Sequence, residues 1–292
     1  MKIYADCAAC MLKRTYETTK LATRDEKTRL RVMDEILRLT ANNFKPSMCP
    51  SVLGTLQSNL ICALSKNPDP FREKKIHVIK KALACRKKFE KYVAGARDER
   101  ERFRRAVLVA VCGNTIEISA PQHDVDVHKL EHEITSCVSR GLAIDDVDKI
   151  FEKLKHAHDI LYICDNAGEA VFDAILIREI KKYARVVIAV ASGPVDDDIT
   201  MKEAKLAGLT RLAPVIRKGW CFGVWREMCT REFWKKLKET ELIFAKGMGN
   251  YETLTEYPEL ARGKSALLFK VKCTSVEKDT GARKGSNVVM FY

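Results

Sequence analysis

Apolar residues recur three and four apart over residues 9 to 22 and again over 26 to 40, the spacing of amphipathic helices, before Asn42-Asn43 breaks the pattern. Polar, proline-bearing links follow at Lys45-Pro46-Ser47 and Asn67-Pro68-Asp69-Pro70. Between Phe71 and Arg105, residues Ile76, Ile79, Ala82, Leu83, Phe89, Tyr92 and Val93 make the apolar side of further helices. At Ala106 the texture changes. The runs AVLVAV (106–111), DILYIC (159–164), RVVIAVA (185–191), ELIFAKG (241–247), ALLFKVK (266–272) and NVVMFY (287–292) read as strands. The segments HKLEHEITSCVSRGL, AVFDAILIREIKK, TMKEAKLAGL and TREFWKKLKE between them read as helices. This alternation predicts an α/β fold, a three-layer αβα domain with a largely parallel, doubly wound sheet over 106–292, preceded by an all-helical domain over 1–105.

Ligands of such sheets bind beyond the carboxyl ends of the strands, and polar residues concentrate there. Strand 159–164 runs into Asp165-Asn166-Ala167-Gly168-Glu169, and strand 185–191 into Ser192-Gly193-Pro194-Val195-Asp196-Asp197-Asp198-Ile199-Thr200. One βα unit separates Asp165 from Asp198, so adjacent parallel strands would carry both to one crevice. Two carboxylates and the Asn166 amide oxygen suit a hard divalent cation such as Mg²⁺ or Mn²⁺. Aspartate at this position also caps the following helix, and spacing alone does not choose between the two. Strand 241–247 ends in Lys246-Gly247-Met248-Gly249-Asn250-Tyr251-Glu252, where a lysine beside close-approach glycines offers a point charge for phosphate. The run 106–111 ends in Cys112-Gly113-Asn114-Thr115-Ile116-Glu117 and adds an amide. Glu169 serves equally to orient water or a sugar hydroxyl, or as a first-turn helix glutamate favoured by the dipole.

Composition narrows the setting. The chain has 292 residues, 46% of them apolar and 31% charged, and no apolar run approaches the ~18 residues of a membrane span. The stretch from Met1 to Cys7 lacks a secretory signal, so a cytoplasmic location is expected. The 11 cysteines then read as reduced, with Cys85, Cys112, Cys164 and Cys273 acting as small hydrophobes. Cys7-Ala8-Ala9-Cys10 has metal or redox spacing, with Cys49 a candidate third member, against ordinary packing. His128 and His132 lie four apart on a helix without the adjacent glutamate of a metalloprotease, and His123 precedes them. The net charge is +13, and 14 basic against 5 acidic residues between Phe71 and Arg105 account for +9 of it. This stretch reads as a solvated helix face, with RNA binding as the competing reading.

In combination, Gly113-Asn114, Asp165-Asn166-Ala167-Gly168-Glu169, Pro194-Val195-x-x-Asp198-x-Thr200 and Ala245-Lys246-Gly247-x-Gly249-Asn250-Tyr251-Glu252 resemble the metal-dependent damage-control phosphatases. That family is also called domain of unknown function 89, and the Cys7-x-x-Cys10 start resembles its archaeal-type branch. The resemblance implies hydrolysis of phosphomonoesters of small metabolites, sugar phosphates or damaged phospho-compounds, with Mg, Mn, Co or Ni as cofactor. By position, Asp165, Asn166 and Asp198 would hold the metal and Lys246 would face the phosphate. Asn114, Glu169, Ser192, Gly193 and Asn250 would line the substrate pocket. Glu117 where the family has Asp, Asp197 where it has Asn, and the unusual segment Arg217–Gly223 are departures. A haloacid-dehalogenase mechanism needs an aspartate at position 167, which is alanine. Two other classes compete. One is an S-adenosylmethionine-dependent carboxyl methyltransferase, disfavoured by the single glycine at 112–114, and the other a non-catalytic phosphate- or RNA-binding protein.

Overall fold

The structure, a computed structural model, describes residues 1–114 and 127–292. The chain opens with helices α1 (Asp6–Ala22), α2 (Glu26–Asn43), α3 (Pro50–Ser65), α4 (Arg72–Ala94) and α5 (Glu99–Gly113). Asp25 starts α2 by accepting from the Thr28 N–H at 2.9 Å, and Pro50 begins α3, where its missing N–H costs nothing. Helix α6 (Val127–Arg140) and strand β1 (Ile144–Asp145) lead to α7 (Val147–His156), β2 (Asp159–Ile163), α8 (Ala170–Ile180), β3 (Arg185–Ala191) and α9 (Met201–Ala207). There follow β4 (Val215–Gly219), α10 (Arg231–Glu239), β5 (Leu242–Lys246), α11 (Gly247–Leu254), α12 (Pro258–Ala261), β6 (Ser265–Lys270), α13 (Thr274–Thr280) and β7 (Asn287–Phe291).

The strands form one sheet in the order β1-β7-β6-β5-β2-β3-β4, parallel throughout except for the antiparallel β6–β7 pair. Side chains alternate between two cores, as strand geometry requires. Tyr162, Cys164 and Phe244 join Phe103, Phe151 and Phe172 beneath α4 to α9. Leu161, Ile163, Ile243 and Ala245 join Phe233, Leu237 and Leu254 on the opposite face. The expected three-layer αβα arrangement is therefore present. Residue Ile163, the last of β2, pairs with both Ala189 and Ala245, and β3 and β5 end within two residues of these partners, so all three open their following turns onto one edge.

Three details depart from the sequence reading. The run AVLVAV is the last part of α5, and the division expected at residue 105 falls inside this helix. Ala106, Val107, Val109, Ala110 and Val111 are all buried and Leu108 half-buried, because the second half of α5 lies between α8, α4 and the sheet and has no charged side to impose a helical period, unlike the first half with its arginines. Gly113 permits the close approach, since a Cβ there would stand 3.0 Å from the Phe172 ring. Strand β4 escaped notice because VIRKG is a charged, half-exposed edge strand. Its outer side is met by the returning chain, where Thr230 N–H donates to Lys218 O at 3.0 Å and Gly219 bridges Cys229. The basic stretch 71–105 is laced by ion pairs such as Lys88–Glu131, Arg100–Asp148 and Arg104–Asp145. Among the described residues no helix is long and apolar enough to cross a membrane.

Helices α1 to α3 have a small core of their own, Ala22, Val32, Ile36 and Ile61, and stand over the carboxyl edge of the sheet. Phe172 anchors the other helical layer, with no exposure and an edge-to-face contact to Phe89 at 5.6 Å. Phe172→Ala should lower the stability of the fold by about 3–5 kcal/mol, read from the denaturant midpoint.

Candidate active site

Two turns at the carboxyl edge are joined backbone to backbone. Ile199 N–H donates to Asp165 O at 2.9 Å, Ala167 N–H to Asp197 O at 2.9 Å, and Asn166 bridges Asp198. Asp165, Asn166 and Asp198 are thereby neighbours. Neither aspartate caps a helix. The N-cap of α9 is Thr200, in a reciprocal capping box with Glu203, and that of α8 is Glu169, whose side chain does not cap. The capping alternative is thus removed for both.

Asp165 occupies a cradle that only glycine leaves open. A Cβ at Gly247, where φ is +79°, would lie 1.9 Å from Asp165 Oδ2. Among the described residues the carboxylate receives one long contact, 3.4 Å from Asn114 Nδ2. Burial first, then the charges of Glu169 and Asp198, push its pKa well above the usual carboxylate range, with Lys272 opposing. Burial likewise pushes Asp198 up to about 7, opposed by the Lys218 ammonium 3.3 Å from Oδ2. Three His, Cys, Asp or Glu side chains do not converge as a closed ligand set among the described residues. Two under-satisfied aspartates beside an asparagine amide nonetheless fit a hard cation that keeps several waters, and its charge would relieve the crowding.

Lys246 is not at this surface. Fully buried, its Nζ donates to Ala110 O at 2.9 Å, Glu169 Oε2 at 2.8 Å and Asp173 Oδ1 at 2.8 Å, which uses all three of its protons. Burial disfavours the charge, yet Asp173 and then Glu169 more than offset this and raise its pKa. Glu169 in turn accepts from Asn114 Nδ2 at 2.9 Å and from Asn166 N–H at 3.0 Å. The lysine is the internal counterion of a bracket that holds the turn carrying Asp165 and Asn166. Asn250 is also internal, donating to Lys246 O at 2.7 Å and Cys164 O at 3.3 Å. Ser192 and Gly193 stand outside the cavity lining, and the Trp220 ring covers Gly193 so closely that a Cβ would meet it at 2.8 Å.

A cavity of about 450 Å³ opens on Asn114, Asp165, Asn166, Asp197 and Asp198. Its cations are Lys272, just beyond β6, with Lys284 and Arg14. Lys272 forms no ion pair among the described residues, and both Asp165 and Asp197 feel its charge. The remaining walls come from the helical region. Arg14 lies 3.4 Å from Asp196 Oδ2, Ser58 donates to Asp196 Oδ1 at 2.7 Å, and Asp196 is held at a left-handed φ of +42°. Cys7 and Cys49 are buried, whereas Cys10 is exposed and Cys273 half-buried in the cavity wall, so Cys273 is not the core hydrophobe expected. Thr115, Ile116, Glu117 and His123 lie outside the described residues.

Sequence reasoning missed Lys272, Lys218, Asp173 and Arg14. Asp173 alone carried a signal, as an acid inside the otherwise apolar AVFDAILI. A model of the damage-control phosphatase ARMT1-like domain matches residues 3–288. The chain belongs to this family. A damage-control phosphatase of Pyrococcus horikoshii is 34% identical, the match covering 99% of this chain and 98% of that one. A damage-control phosphatase of Archaeoglobus fulgidus is 31% identical over 99% and 98%. The crystal structure of a DUF89 family protein from P. horikoshii superposes with a TM-score of 0.89 at 34% identity, covering 100% of this chain and 99% of that one. The motif resemblance and the α/β architecture of this ARMT1-like chain agree with all three.

Lys246→Met should cost about 3–5 kcal/mol in chemical denaturation, because it strands Glu169 and Asp173 as buried charges without a cation. Gly247→Ala should weaken Mn²⁺ binding at least about tenfold in calorimetric titration, since the new methyl must displace the Asp165 carboxylate.

Proposed function

We propose that this protein is a metal-dependent phosphatase that hydrolyses phosphomonoesters of small metabolites, sugar phosphates and damaged phospho-metabolites among them. The observation that carries the reading is the Asp165 carboxylate, seated in the Gly247 cradle beside Asn166 and Asp198 and, among the described residues, nearly without donors, at the floor of a cavity sized for a small ligand. Membership in a family whose relatives are named damage-control phosphatases supports it.

Asp165, Asn166 and Asp198 would hold the divalent ion, which when bound supplies polarisation of a phosphoryl oxygen. The protein's own groups supply the rest. The bracket of Asn114, Glu169 and the Asn166 N–H fixes the turn, and Lys218 fixes Asp198 from behind. Lys272, the cavity cation on the same edge, takes the phosphate-facing role first assigned to Lys246 and neutralises charge growing on the phosphoryl oxygens. Net reaction with water breaks the P–O bond to the leaving alcohol and yields inorganic phosphate. The helical region narrows the entrance and limits bulk water at the reacting phosphorus.

The test is phosphate release from sugar phosphates and an aryl phosphate, with chelator and with Mg²⁺, Mn²⁺, Co²⁺ or Ni²⁺ restored. Metal-dependent release is expected, falling at least about 10³-fold in Asp165→Ala and in Asp198→Ala. Lys272→Ala should lower kcat/KM about 10²-fold while leaving the denaturation midpoint in place, the reverse of what Lys246→Met does. Release that survives the chelator and both aspartate variants would refute the proposed site.

A further inference from the structure

The two ends of the cavity differ in chemistry. One is the metal-facing floor, and the other is closed by Glu252 on α11, with Ser51 of α3 and Thr274 and Ser275 at the start of α13. Glu252 is only 7% exposed, yet it lines the cavity. Its Oε2 accepts from the Ser51 hydroxyl at 2.6 Å, and among the described residues its carboxylate has no ion pair. Burial raises its pKa, while Ser51, the N-terminal ammonium, which donates to the Glu252 carbonyl at 2.8 Å, and then Arg14 oppose that.

An ionised carboxylate has about four lone-pair sites, and a buried one served by Ser51 alone is costly to keep. Such a group is retained where something else donates to it. Ligand hydroxyls do so without bringing charge, and the hydroxyls of Ser51, Thr274 and Ser275 around it can both give and accept with a polyol. A second anion on the ligand would instead meet Glu252 inside a poorly hydrated pocket, where like charges repel far more strongly than in water. The nearest cations do not answer this, because among the described residues Arg14 is paired with Asp196 and the N-terminal ammonium with Glu256, and neither forms an ion pair with the Glu252 carboxylate.

We infer that Glu252 is a specificity-determining residue, selecting phosphomonoesters whose tails are uncharged and rich in hydroxyls and rejecting those with a second anionic group at the far end. The inference rests on the phosphatase reading above and adds the rule by which the same site sorts its substrates.

The test compares sorbitol 6-phosphate with 6-phosphogluconate, which share a chain and a phosphate position and differ at the far carbon, hydroxymethyl against carboxylate. In the full-length wild type with metal, kcat/KM should favour sorbitol 6-phosphate at least about tenfold, mostly through KM. Glu252→Gln keeps the side-chain shape and a partner for Ser51 but removes the charge, and the ratio should then fall to within about threefold. Because the readout is a ratio, general damage to catalysis or folding cancels. A wild-type ratio near one, an unchanged ratio in the variant, or turnover of an aryl phosphate with neither hexose-chain ester accepted overturns the inference alone. Absence of release from every ester with every metal overturns the phosphatase reading and this inference with it.

Discussion

The ammonium of Lys246 is the constraint around which the site is arranged. It is charged, wholly buried, and shared among a carbonyl of α5 and two carboxylates from the start of α8. A buried cation is tolerated only when its proton positions are filled with good geometry, so the end of β5, the last turns of α5 and the first turn of α8 have one compatible arrangement. Tyr162 adds its hydroxyl to Asp173 at 2.7 Å and locks the same carboxylate from the strand beneath. Glu169 then transmits this order outward, since the carboxylate that pairs with Lys246 also grips the Asn166 backbone and the Asn114 amide. The turn carrying Asp165 and Asn166 is therefore placed by groups that do not face the cavity.

Much of this was legible in the sequence, for physical reasons that also explain the failures. Strands such as Ile160–Ile163 and Leu242–Lys246 are buried on both faces and announce themselves as continuous apolar runs ending abruptly. The same signature misled at AVLVAV, because the half of a helix that is buried between other layers carries no polar stripe. The strand ends did bring Asp165, Asn166, Asp198 and Asn114 to one cavity, yet the placement of each lysine depended on which way it points. Lys246 lies two positions after Phe244 and shares its face of the sheet, toward the α5 and α8 layer, so strand parity already directs it inward. Lys272 follows the end of β6, where the chain no longer alternates, and nothing in its sequence neighbourhood marks it. Ser192 and Gly193 read as pocket residues by motif, and the Trp220 indole that covers Gly193 comes from a loop beyond the unrecognised edge strand.

The helical region completes the cavity rather than standing apart from it. Its polar side chains reach the carboxyl-edge loops at several points. Ser58 and Arg14 hold Asp196, Ser51 meets Glu252, and the Thr55 hydroxyl accepts from the Phe222 N–H at 3.0 Å. Asp196 stands two residues before Asp198, so a backbone angle that an L-residue adopts reluctantly is held by contacts from another layer of the molecule. The helices thus shape both the volume offered to a ligand and the loop that presents the second aspartate.

The return of the chain along β4 bears on how the molecule behaves among its own copies. An open sheet presents a row of unpaired amides and carbonyls at its margin, and such margins invite strand addition and aggregation. Here the segment ending at Thr230 folds back on Lys218 and Gly219 and occupies bonding positions at that margin, while the opposite one is formed by β1, only two residues long. Neither margin offers a long template. At high concentration this leaves the helical faces, not the sheet, as the surfaces on which copies of the chain would meet.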